Sequence, residues 1–174
     1  MKTLKRLLYI ACLCLIVAAC KGDDDGANDN GTNTQNDGAT FTATIDNTDF
    51  SGDLFALATI TTFNENTLFR LQASDENDRS IVIVINGFDG LGTYSLSSQN
   101  TVDNSASYTE RDGDNPDDST TWSAPYEESG FVGSVTISEI TDVMVTGIFN
   151  FEGKEENGTT FRDVTDGRFN VRFQ

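Results

Sequence analysis

The chain has 174 residues, with 28 Asp and Glu against 11 Lys and Arg, a formal net charge of −17 and no histidine. That balance repels nucleic acid, and the missing imidazole removes Ser-His-Asp triads and every His-containing metal site. The three cysteines, Cys12, Cys14 and Cys20, all lie near the N-terminus, so thiol nucleophiles and cysteine-held zinc or iron–sulfur centres are excluded from the rest of the chain.

Lys2, Lys5 and Arg6 open the chain, and an apolar run of 13 residues, Leu7 to Ala19, follows. A membrane-spanning helix needs about 20 apolar residues, so this run is too short to span and has the flanks of a secretory signal. Val17-Ala18-Ala19-Cys20 resembles a bacterial lipobox, where the signal is cut and the new N-terminal cysteine is lipidated. The expected products are a signal peptide over residues 1–19 and a mature chain anchored through Cys20. Two or more acyl chains, at about 0.8 kcal/mol per buried CH₂, give stable attachment without a spanning segment. Loss of the signal leaves 8 basic and 28 acidic side chains, a net charge of −20.

From Lys21 to Thr40 no aliphatic residue is larger than alanine. Such a segment cannot bury a core and reads as a disordered acidic tether over residues 20–40, spanning roughly 25 Å root-mean-square. Its start, Lys21-Gly22-Asp23-Asp24-Asp25, resembles the acidic signal that sends Bacteroidetes lipoproteins to the cell surface, with Gly22 as a departure from it. An acidic linker without sorting information is the alternative, and it leaves the periplasmic face of the outer membrane open as the location.

Residues 41–174 carry a period of two. Phe41, Ala43 and Ile45 alternate with polar neighbours, as do Phe69, Leu71 and Ala73, then Val143, Val145, Gly147, Phe149 and Phe151, then Phe169, Val171 and Phe173. This pattern predicts half-buried antiparallel strands. Ile81-Val82-Ile83-Val84-Ile85 is apolar on both faces and predicts a central strand covered on both sides. Turn chemistry falls at Asn64-Glu65-Asn66, Asp75 to Asp78, Gly87 to Gly92, Thr141-Asp142 and Asp166-Gly167, the last predicted as a two-residue hairpin turn. The expectation is an all-β fold, a single antiparallel β-sandwich or barrel of about nine to ten strands; periodicity does not separate the two.

Asp112-Gly113-Asp114-Asn115-Pro116-Asp117-Asp118 gathers four carboxylates in seven residues. Calcium takes six to eight oxygen ligands from flexible loops, so Asp112, Asp114, Asp117 and Asp118 are its candidate ligands. The run starts like an EF-hand loop and then departs from it, with Pro116 at the fifth position, Asp117 where glycine belongs and Ser123 at the twelfth. Tyr108, Trp122 and Tyr126 flank this run, and aromatic faces beside carboxylates are a way to hold sugar rings; large aromatics also pack on core edges. A glycosidase needs a carboxylate pair with one raised pKa, and no acid stands out by context.

Five segments, Ile45-Asp46-Asn47-Thr48-Asp49-Phe50, Gly92-Thr93-Tyr94, Gly133-Ser134-Val135-Thr136-Ile137, Gly147-Ile148-Phe149-Asn150-Phe151 and Gly167-Arg168-Phe169-Asn170-Val171, resemble an uncharacterised family of small Bacteroidetes lipoproteins, a domain of unknown function. The resemblance implies a lipid-anchored antiparallel β domain and brings no catalytic residues. The resulting expectation is a non-enzymatic outer-membrane lipoprotein, surface-exposed or on the periplasmic face, with a binding or structural role. Its partners are the membrane through the lipid anchor, and a glycan or envelope protein, not nucleic acid. Calcium is the one cofactor for which the sequence offers ligands. The alternatives are a glycan-binding β module on Tyr108, Trp122 and Tyr126, and a β-barrel holding a small apolar ligand.

Overall fold

The computed structural model describes residues 38–112 and 115–174, with side chains left out at 112, 116 and 117. Among the described residues eleven strands follow one another: β1 (Thr40–Ile45), β2 (Thr48–Ser51), β3 (Phe55–Phe63), β4 (Asn66–Ser74), β5 (Arg79–Asn86), β6 (Gly92–Ser97), β7 (Ser105–Asp112), β8 (Asn115–Ala124), β9 (Phe131–Ile140), β10 (Met144–Glu155) and β11 (Phe161–Phe173). The class is all-β, as the alternation predicts, with slightly more strands than expected. Two of the connections are two-residue turns, Asp46-Asn47 (φ 46° and 70°) and Asn64-Glu65 (φ 48° and 66°), and positive φ at both centres matches the right-handed twist of the strands they join.

The strands form one sheet in the order β2-β1-β11-β3-β4-β5-β7-β8-β10-β9-β6, with a further β10–β11 pairing that closes it on itself. Every pairing is antiparallel except the short one of β11 with β3, Arg172 to Leu57 and Phe173 to Ala58. The closure makes two layers, β3-β4-β5-β7-β8 and β2-β1-β11-β10-β9-β6. The ends of the two longest strands link them: β11 reaches β3 through those two pairs, and β10 reaches β8 through Lys154–Ser123 and Glu155–Trp122. Sandwich and barrel are therefore combined, two facing layers with a closed seven-strand cycle.

The inward set fills the space between the layers. Phe41, Phe50, Phe69, Phe149, Phe151 and Phe169 are buried in one cluster with Ile81, Ile83, Ile85, Val135, Val145 and Val171. Full burial of such a side chain contributes roughly 1.5–3 kcal/mol. Phe69 of β4 stacks on Phe88 at 4.9 Å, and Phe88 meets Tyr94 of β6 at 5.6 Å, so contacts run from layer to layer. Strands β9, β10 and β11 approach closely at Gly147, where an added Cβ would sit 2.1 Å from the Thr136 carbonyl oxygen and 2.4 Å from the Phe169 ring.

Three local expectations are corrected. Asp166-Gly167 is not a hairpin turn. It lies inside β11, where Phe149 faces Gly167 but Phe151 faces Val164, so β11 carries one extra residue. Asp166 takes φ 51° in this bulge, and Gly167 is buried against Phe149; the positive-φ chemistry that suits a turn also suits a bulge when neighbours on both sides keep the ladder running. β5 is covered on one face only: Ile81, Ile83 and Ile85 are buried, while Val82 and Val84 are half-buried on the outer face. The acidic run is no long loop, because β7 and β8 pair from Ala106–Ala124 out to Asp112–Asn115. Asp117 and Asp118 thus lie within β8, in an irregular step of the ladder between the Arg111–Ser119 and Asp112–Asn115 pairs.

Candidate functional site

A cluster of interlinked polar side chains sits at one end of the sandwich, where the β4–β5 turn, the β1–β2 turn, β7 and the start of β11 converge. It begins at Asp75, which is only 3% exposed. Its Oδ1 accepts the backbone N–H groups of Asn77 and Arg79, both at 3.0 Å, and its Oδ2 accepts Arg79 Nε at 2.7 Å. The Asp75 carboxylate thereby organises the turn and places the Arg79 guanidinium, with Nη2 2.6 Å from Oδ2. Arg79 then reaches the other layer, donating to the Asp49 carbonyl at 2.8 Å and lying 5.5 Å from the Phe50 ring centroid. Burial opposes its charge most, but the hydrogen bond and charge of Asp75, with help from Tyr108, hold its pKa above the ordinary value.

Tyr108 and Trp122 face each other across the β7–β8 ladder and stack at 5.8 Å and 25°. Tyr108 is fully buried and donates to Glu110 Oε1 at 2.7 Å. Burial first, then that carboxylate, raise its pKa, so it is a protonated donor at neutral pH. Trp122 is 4% exposed and donates Nε1–H to Thr160 Oγ1 at 2.8 Å, while the Thr160 hydroxyl donates to Glu155 at 2.6 Å. The Arg162 guanidinium covers the indole at 4.3 Å and pairs with Asp46 at 3.4 Å and Glu110 at 3.8 Å. Asp46, Arg79, Tyr108, Glu110 and Arg162 line a surface cleft of about 240 Å³. Arg79 and Arg162 each have a carboxylate within 4 Å, so the cluster ties the two layers together at this end.

These contacts decide how the aromatic candidates are arranged. Tyr108 and Trp122 are inside, with no open ring face for a sugar. Tyr126 is apart from them, following the cis Ala124–Pro125 bond, with its hydroxyl donating to Glu152 Oε1 at 2.5 Å and its ring against Phe161 at 5.7 Å. The three do not form one platform. Of the calcium candidates, Asp118 is exposed on β8; Asp114 and the side chains of Asp112 and Asp117 lie outside the described residues, as does Cys20. Among the described residues no group of three or more His, Cys, Asp or Glu side chains is placed to hold a metal ion, and no helix is long and apolar enough to cross a membrane.

Sequence reasoning missed Asp46, Asp75, Arg79, Glu110 and Arg162. For the first pair of partners a signal existed: Asp75 and Arg79 bracket a turn between two apolar strands. Arg162 had none, since its partners come from remote strands. No curated protein matches the chain, and no solved structure does. A family model matches residues 34–171, which take in every strand but the last residues of β11, and the chain belongs to that family, the domain of unknown function DUF6252.

Proposed function

We propose that the chain is a lipid-anchored outer-membrane lipoprotein of Bacteroidetes type, whose β domain is a non-enzymatic binding or structural module. The observation that carries this reading is the order of features at the N-terminus: Lys2, Lys5 and Arg6, the apolar run Leu7 to Ala19, then Ala18-Ala19-Cys20 and an acidic segment. The first strand begins at Thr40, which leaves 19 residues after Cys20 to act as a tether. A module role is supported by the polar cluster, whose guanidiniums, phenol and indole are engaged with groups of the same chain. The glycan alternative on Tyr108, Trp122 and Tyr126 loses support from the burial of its first two members. The apolar-ligand alternative loses support from the packed aromatic interior.

The test is metabolic labelling with a radioactive fatty acid in the native host. The wild-type chain takes up label and Cys20→Ala does not; an unlabelled wild-type chain overturns the reading. Protease added to intact labelled cells then separates the two locations. Cleavage favours the outer surface, as Lys21 to Asp25 suggest, and protection until lysis favours the periplasmic face.

A further inference from the structure

The two ends of the sandwich differ in what they expose. The cluster of Asp75, Arg79, Glu110 and Arg162 occupies one end, and the exposed Leu54 and Phe161 there stand next in sequence to Asp53 and Arg162. The other end is where the chain coming from Cys20 joins the domain, since β1 starts at Thr40, opposite Asn170 near the end of β11. There Phe173 lies between two apolar neighbours. Its N–H donates to the Val143 carbonyl at 3.1 Å, and its partner on β3 is Ala58. Strand β3 continues from Ala58 to Phe63 while β11 stops, so this stretch has no strand beside it on the edge away from β4 among the described residues.

The overhang leaves apolar side chains uncovered. Ile60 follows Ala58 by two residues and so shares its face. Ile60 is 42% exposed, Val143 55%, and Phe63 at the hairpin tip 73%. Two strand spacings of about 4.8 Å separate Val143 from Ala58, and residues rising about 3.4 Å each carry β3 on to Phe63, so the patch measures roughly 10 by 17 Å. None of Ile60, Phe63, Val143 and Phe173 is charged, and Glu65 and Asp142 lie in the two turns that flank them.

We propose that this end of the domain rests on the surface of the bilayer that holds the Cys20 anchor, with Ile60, Phe63 and Val143 entering the interface. The inference rests on the lipid-anchor reading above. What selects the bilayer is the place where the chain joins the domain. A coil of the 19 residues between Cys20 and Thr40 spans roughly 25 Å, which keeps this end near the anchor. The polar end lies a strand length away, roughly 40 Å for the 13 residues of β11. A tethered domain meets the surface at high effective concentration, so a few apolar side chains suffice where an untethered domain would not stay bound. A second copy is disfavoured by the net charge of −17 on each chain, whereas zwitterionic lipid carries no net charge to repel it.

Contact quenching by the lipid tests it. The chain is purified with its lipid from the native host and placed in phosphatidylcholine vesicles, with or without bromine on the acyl chains. Bromine quenches indole emission only at close range. Trp122 is 4% exposed, so the parent chain gives the background. Phe63→Trp and Val143→Trp each add a reporter on the patch. Phe131→Trp adds one at the polar end, where β9 begins, at a position 66% exposed. The expected result is a loss of the added emission by about twofold or more for both patch reporters, and none for Phe131→Trp. Intact mass separates the two readings. A chain without acyl groups at Cys20 overturns the anchor and this inference together. An acylated chain whose Phe63→Trp emission is quenched no more than that of Phe131→Trp overturns the inference alone. Emission from Phe63→Trp that moves to the blue without bromine quenching also overturns it, in favour of a protein on the patch.

Discussion

Trp122 shows how one side chain is claimed by several forces at once. Its ring stacks on Tyr108, its N–H is satisfied by Thr160, and Arg162 lies over the ring. Truncation to alanine leaves a cavity beside the Arg162 guanidinium, which loses its cover, and leaves Thr160 without the indole donor. Trp122→Ala should therefore lose about 3–5 kcal/mol in urea unfolding, and a loss below about 1 kcal/mol would show that the indole is not part of the core. The inward position of Trp122 was legible in its neighbourhood. Ala106 and Tyr108 alternate with Ser107 and Thr109, and Trp122 and Ala124 flank Ser123, which is the period-two pattern of a half-buried strand pair. What obscured it was the adjacent acidic run, which looks like a loop and makes nearby aromatics look like a binding rim. Arg162 could not be read at all, because a guanidinium finds its partners through the packing of β11 against β7 and the β1–β2 turn, not through spacing.

Elements were legible where alternation or turn chemistry acts locally. The Asn64-Glu65 turn is one such case, and its structure adds a consequence. Glu65 sits at φ 66°, a region that costs a side-chain-bearing residue roughly 1 kcal/mol and costs glycine almost nothing. Glu65→Gly converts the pair to Asn-Gly, the preferred sequence of this turn type. It should raise stability by about 0.5–1 kcal/mol with an unchanged denaturant slope; a fall would show that the Glu65 side chain does something the turn geometry does not reveal. β11 is the opposite case. Its 13 residues were cut in two by the sequence reading, since Asp-Gly signals positive φ without saying whether the chain reverses or merely bulges. Only the strands on either side, β1 and β10, decide that, and both continue past the bulge.

For the whole molecule, the two layers are joined along the sheet by four residue pairs at the ends of β10 and β11, too few and too remote in sequence to leave a periodic trace. Across the fold every described tyrosine lies against a carboxylate, two of them close in sequence and the third brought together by the pairing of remote strands. Tyr94 donates to Asp89, Tyr108 to Glu110 and Tyr126 to Glu152. Burial raises the pKa first at Tyr94 and Tyr108, and the carboxylate hydrogen bond does so first at Tyr126. All three shifts lie above the ordinary value of 10.0, so the folded chain holds these protons to higher pH than the unfolded chain does. The linked stability is complete below about pH 10 and is lost as pH rises above it, toward the raised folded values. Melting temperature should stay level with respect to these groups up to about pH 10 and fall beyond it. Tyrosinate absorbance should lag that of free tyrosine and then rise together with unfolding. Tyr108→Phe keeps the ring on Trp122 but removes the most strongly raised phenol, so it should make the alkaline fall shallower. Three tyrosines that ionise near pH 10 in a still-folded chain would contradict the tyrosine–carboxylate contacts on which this argument stands.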